Sequence, residues 1–146
     1  MKADAKAEGA VMEAFNKLWK AYETRDGSTL LSMFVPDPDV FLYGTGADEK
    51  RIGPTEIKAQ FERDWSQSDA ASLRFDWHSV SLAGGVALVA ADGIAQAKIG
   101  EQEVTFPVRV TMAFEQRGNR WLAAQMHVST PAAGEAEGQS WIEPQG

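Results

Sequence analysis

The stretch that most constrains this chain runs from Phe106 to Ser129. Phe106–Phe114 and Trp121–Ser129 are rich in β-branched and aromatic residues, and Arg117-Gly-Asn-Arg120 between them carries turn chemistry. Two long strands joined as a hairpin satisfy that pattern. Side chains alternate faces along a strand. Arg109, Thr111 and Ala113 therefore share a face, as do Trp121, Ala123, Gln125, His127 and Ser129 on the partner strand. The opposite faces carry Val108, Val110, Met112 and Phe114, and Leu122, Ala124, Met126 and Val128. One face is wholly apolar; the other sets polar groups among apolar ones. Parity alone leaves open which face turns inward.

Period-two patterning extends upstream. Leu73–Leu82 and Val86–Ala97 read as strands joined by the tight turn Ala83-Gly-Gly85, and Ile99-Gly-Glu101 turns the chain into Val104–Glu115. These strands exceed the typical length of about five or six residues. Before them, Val11, Phe15, Leu18, Trp19 and Tyr22 form a helical stripe within Asp4–Arg25. Asp26 is placed to cap a short helix from Gly27 to about Phe34, which Pro36-Asp-Pro38 stops. Val40–Tyr43 reads as a short strand ended by Gly44-Thr-Gly46. Gly53-Pro54 opens a third helix with the seam Ile57, Phe61, Trp65, which Ser66–Asp69 closes. The expected class is α+β, a curved antiparallel or mixed sheet wrapped around about three helices.

Composition narrows the function. The chain has 146 residues, the size of one domain, placed at 1–130. Residues 131–146 are Pro, Ala, Gly, Glu and Gln with a lone Trp141-Ile142, and read as a loosely attached tail that Trp141 could tack onto the body or a partner subunit. The absence of cysteine removes disulfides, thiolate zinc sites and cysteine nucleophiles. A net charge of −7 opposes nucleic-acid and anionic-membrane partners, which need a basic field. No apolar run approaches the roughly 20 residues of a spanning helix, and the start lacks a signal-peptide core, so a cytoplasmic protein is expected. No metal or other cofactor is expected. His78 and His127 stand in different strands without ligand spacing, and Gly44-Thr-Gly46 lacks the helix and Lys of a phosphate loop.

The order helix, helix, strand, helix, four long strands resembles the nuclear transport factor 2-like superfamily, specifically its SnoaL-like domain group. Three segments carry the resemblance: Tyr22–Val35; Phe41-Leu-Tyr-Gly-Thr-Gly46 with Gly53-Pro54; and Arg109-Val-Thr111 with Trp121 and His127-Val-Ser129. The chain also resembles the association domain of calcium/calmodulin-dependent kinases, which ends in a Trp, two alternate His and Ser. Gln125 replaces the first of those His and His127 keeps the second. The resemblance implies a cone-shaped fold with a pocket at its open end and a homodimer through the outer sheet face.

Within that frame the mixed face is expected to line the pocket. Arg109 in a long strand needs a counter-ion or water; its planar fork suits a carboxylate, and a structural salt bridge would explain it equally. Thr111 and Gln125 can orient a ligand. His127 has the chemistry of a general base, with Asp92, which interrupts an apolar strand, as its orienting carboxylate. A satisfied core histidine is the plainer explanation. Tyr43, Trp65 and Trp77 can wall a pocket or simply fill a core. The expected protein binds a small, mostly apolar molecule bearing a carboxylate or oxo group. A lyase or isomerase using His127 and Asp92, and a non-catalytic oligomerisation module, are the alternatives. A polyketide-cyclase site is disfavoured, because Val128-Ser-Thr130 supplies no carboxylate after His127.

Overall fold

Helix α1 (Ala5–Glu23) begins where Asp4 accepts a hydrogen bond from the Ala7 amide and ends at Arg25, whose positive φ of 59° turns the chain. Helix α2 (Gly27–Ser32) follows at once, with Asp26 Oδ1 accepting from the Thr29 amide at 3.2 Å. Helix α3 (Pro54–Ser66) starts on Pro54, whose missing N–H costs nothing in a first turn. The strands are β1 (Phe41–Tyr43), β2 (Lys50–Ile52), β3 (Ala70–Ala83), β4 (Val86–Ile99), β5 (Gln102–Arg117) and β6 (Arg120–Ser129). This computed structural model describes residues 1–142 and 144.

The strands make one mixed sheet in the order β2-β1-β6-β5-β4-β3. The four long strands pair antiparallel in sequence, and β1 joins β6 in parallel, with Leu42 opposite Met126. Strand β2 has no hydrophobic signature: Lys50-Arg-Ile52 is extended because it pairs with β1, not because it buries side chains. Nothing in its residues marks it as a strand.

Alternation decides the two faces. Val108, Val110, Met112 and Phe114 are buried beneath the helices, whereas Arg109 and Thr111 are exposed. The wholly apolar face is therefore the inner one. The core lies between it and the helical stripe, with Phe15, Leu18, Leu30, Ile57, Phe114 and Met126 fully enclosed. Each such side chain contributes about 1.5–3 kcal/mol through burial. Strict alternation fails once in the hairpin. A bulge at Ala124 pairs Phe114 with Ala123 and Ala113 with Gln125. Trp121 and Ala123 consequently turn toward the core instead of sharing a face with His127. Ala123 is also locked by backbone bonds to Met33 and Val35, just after α2.

Past Ser129 the described chain has no helix or strand, and Trp141 is 82% exposed, so it does not pack on the body. The tail positions Glu143, Gln145 and Gly146 lie outside the described residues.

Candidate functional site

The last turn of α1 and the middle of α3 meet over the inner sheet face. The α1 stripe ends in Tyr22, whose ring packs edge-on against Trp19 and Phe61, each at 5.8 Å between centroids. Trp65 closes the aromatic group from behind, 6.1 Å from Tyr22, and its Nε1–H donates to the Tyr22 carbonyl at 3.1 Å. On α3, Gln60 and Asp64 are one helical turn apart and share a flank with Ile57 and Phe61.

These residues build a connected polar cluster. Tyr22 Oη donates to Asp64 Oδ2 at 2.9 Å. Gln60 Nε2 donates to Asp64 Oδ1 and to Glu49 Oε1, both at 2.7 Å. Gln60 Oε1 accepts from Arg51 Nε at 2.8 Å. The Gln60 amide can sit only one way round here, because a guanidinium has no acceptor and ionised carboxylates have no donor. Gln60 is 3% exposed and fully satisfied, the condition under which a buried amide is tolerated. Glu49 reaches this cluster from the β1–β2 loop, held by the Gly46 amide and by Arg63 Nη2 at 3.3 Å.

The cluster forms one wall of a cavity of about 370 Å³. Trp19 and Phe61 form a second wall, and Val108, Met126 and Val128 from the inner sheet face form the floor. The exposed Thr45, Gln67 and Ile99 mark its opening. Burial holds the Asp64 carboxyl above the usual carboxylate range; hydrogen bonds from Tyr22 and Gln60 act against that shift, and Glu49 reinforces it. Burial, with Asp64 alongside, pushes the Tyr22 phenol far up, so it stays a proton donor. Among the described residues, the buried side-chain polar atom without a partner is Trp19 Nε1, in the aromatic wall of the same cavity.

The residues singled out from sequence occupy the other face. Tyr43, His127 and Thr111 form one register row across β1, β6 and β5, and Trp77, Asp92 and Arg109 form another across β3, β4 and β5. All six are exposed, and Gln125 lies beside them. Arg109 meets solvent there, which is how a charge in a long strand is accommodated. His127 packs its ring 5.3 Å from Tyr43. His127 and Asp92 lie in different rows with β5 between them, and no hydrogen bond joins them among the described residues. A groove of about 560 Å³ on this face is lined by Thr111, Gln125, His127 and their neighbours. Two differ: Trp65 stands on α3 beside the inner cavity's aromatic wall, and Tyr43 lines the inner cavity as well as the outer groove.

Tyr22, Gln60 and Asp64 were not selected from sequence. Tyr22 belongs to an apolar stripe, and Gln60 and Asp64 look like the polar flank of the α3 seam. The available signal was Gln60 three residues after Ile57, an amide on the buried side of a helix.

Several solved structures share the fold. A dehydratase candidate of the NTF2-like family from Streptomyces avermitilis superposes with a TM-score of 0.78 at 21% identity, covering 86% of this chain and 96% of that one. A nuclear transport factor 2-like superfamily protein from Salmonella enterica serovar Typhimurium gives a TM-score of 0.80 at 15% identity, covering 94% and 99%. A candidate calcium/calmodulin-dependent protein kinase II association domain from Xanthomonas campestris gives 0.74 at 20% identity, covering 90% of each chain. No curated protein matches the chain. The family model for the SnoaL-like domain matches residues 11–133, from the first buried residue of the α1 stripe to just past the last strand, and the chain therefore belongs to the SnoaL-like domain family.

Proposed function

We propose that this chain is a small-molecule-binding protein whose ligand seats in the inner cavity, apolar body against Trp19, Phe61 and Met126, polar end against Tyr22 and Asp64. The observation that carries this reading is the cluster itself. A satisfied network of Tyr22, Gln60, Asp64 and Glu49 on the wall of a largely apolar cavity is the pattern of a ligand site: apolar lining with a few convergent polar groups. A cation anchor at Arg109 would serve a ligand on the outer face, not one in this cavity. The test is a crystal of protein purified without added ligand, combined with native mass spectrometry. A retained small molecule against Tyr22 and Asp64 is expected. A water-filled cavity, in a protein whose melting temperature no compound of a broad metabolite library raises, would overturn the reading.

Acid–base turnover, as a lyase or isomerase, is a second reading, favoured by a carboxyl whose proton affinity burial has raised within a cavity. In it Asp64 exchanges the proton and Tyr22 orients the carboxyl. Turnover that survives Asp64→Asn but vanishes in His127→Ala would move the chemistry to the outer face, where His127 and Asp92 stand. That outer face is, in this proposal, where a second copy of the chain packs to form a homodimer.

A further inference from the structure

We propose that the ligand of the inner cavity is a cationic amine: an apolar body bearing one ammonium group, seated between Asp64, Glu49 and the aromatic wall. This rests on the reading of that cavity as the ligand site. The charged residues lining it are Glu49 and Asp64, both acidic. Arg25, Arg51 and Arg63 are close by but outside the lining. Arg25 turns its guanidinium onto the carbonyls of Trp65 and Ser68, both at 2.8 Å. Arg63 clamps Asp48, with Nη1 at 2.8 Å and Nη2 at 3.1 Å.

The cluster's donors are already spent. The one proton of Tyr22 Oη goes to Asp64, both protons of Gln60 Nε2 go to carboxylates, and Gln60 Oε1 is taken by Arg51. What remains is acceptor capacity: both Asp64 oxygens and Glu49 Oε2 keep a second lone pair, as does the Tyr22 oxygen, whereas Glu49 Oε1 is filled by Gln60 and Arg63. At the cluster a ligand must therefore donate. A carboxylate ligand would face two like charges in a partly desolvated site. A neutral hydroxyl would satisfy one acceptor and leave Asp64 without a salt-bridge partner among the described residues, Glu49 being paired with Arg63. An ammonium group brings three donors and the compensating charge. The three rings of Trp19, Tyr22 and Phe61 line the same cavity, and aromatic rings attract a cation. Trp19 is 8% exposed and its Nε1–H has no acceptor among the described residues, so the aromatic wall adds one donor, which an acceptor on the ligand's apolar body would fill and the ammonium would not.

The test compares benzylammonium, benzyl alcohol and benzoate at neutral pH. Each is titrated against the intact protein while the Trp19 indole ¹⁵N–¹H signal and the Met126 methyl signal are followed by NMR. Benzylammonium should bind saturably, at least about tenfold tighter than benzyl alcohol, and benzoate should leave both signals unmoved. Asp64→Asn should weaken benzylammonium about tenfold and leave benzyl alcohol within about twofold. If Asp64→Asn fails to fold, Glu49→Gln is held to the same comparison. Benzoate or benzyl alcohol binding as tightly as benzylammonium would overturn the amine and keep the cavity as a ligand site. An unchanged benzylammonium affinity in the folded variant would also overturn it. Failure of all three probes to move either signal would overturn the cavity reading and the amine together.

Discussion

Asp64 sits between opposing influences. Burial and the Glu49 charge raise its proton affinity; the bonds from Tyr22 and Gln60 and the nearby Arg63 lower it; burial dominates. Its folded-state pKa is thus above the ordinary 3.8, so the folded chain holds this proton more tightly than the unfolded chain. Stability contributed by Asp64 consequently falls as pH rises from the unfolded value through the folded one. Asp37 and Asp48, hydrogen-bonded by Arg117 and Arg63, and Asp26, bonded by Thr29, are shifted down and have the opposite sign. Their stabilisation is present above the unfolded value and is lost as pH falls through their folded values. Asp64→Asn is therefore expected to raise the melting temperature near neutrality, with the gain shrinking on acidification. Melts of both proteins from about pH 3 to 8 check this; a gain that grows toward acid pH would refute burial as the dominant cause. A buried carboxyl that weakens its own fold has no distinctive mark in sequence. Asp64 is one more charge on a helix there, and only its distance to Tyr22, 42 positions away, changes its meaning.

Among the elements, β3 and β4 approach unusually closely at Gly93. A Cβ on Gly93 would lie 2.4 Å from the Arg74 carbonyl oxygen and 2.8 Å from the Phe75 ring, beside the bulge that skips Asp76. Backbone cannot yield there as a flexible side chain would. Gly93→Ala should cost about 1–3 kcal/mol by urea denaturation, as overpacking of a tight site does. Gly85→Ala, where nothing lies within 4 Å, should stay within about 0.5 kcal/mol. Equal losses at both positions would mean that backbone entropy, not the close approach, sets the cost. The long elements were legible because hydrophobic period survives in sequence: α1, α3 and β3–β6 fall near their expected bounds. β2 was not, since backbone pairing and polar bonds to α3, not an apolar period, hold it. The Ala124 bulge was not, since one unpaired residue leaves no trace in composition yet reverses the facing of Trp121 and Ala123.

For the whole molecule, the outer sheet face is the surface without a cover. Tyr43 at 40%, Trp77 at 52%, Leu88 at 44% and Ile94 at 41% exposure lie on it together. Large apolar side chains gathered on one face of a protein mark an interaction surface. If a second copy covers it, light scattering after gel filtration should give twice the 15.9 kDa chain mass. Leu88→Glu should then return the protein to a monomer with its melting transition still cooperative. A wild-type monomer at tens of micromolar would refute the homodimer. Among the described residues no helix is long and apolar enough to cross a membrane.

The sequence by itself determined the class of fold, the order of elements and the existence of one apolar and one mixed face on the last hairpin. Those features are periodic, and period is a local property of the chain. Only the tertiary structure decided which face turned inward, because that depends on where the helices pack. This choice put Arg109, Thr111, Gln125 and His127 outside and brought Tyr22, Gln60, Asp64 and Glu49 together around the cavity. A polar cluster assembled from a helix end, a second helix and a loop is a set of distances between positions far apart in sequence, and close packing alone sets those distances.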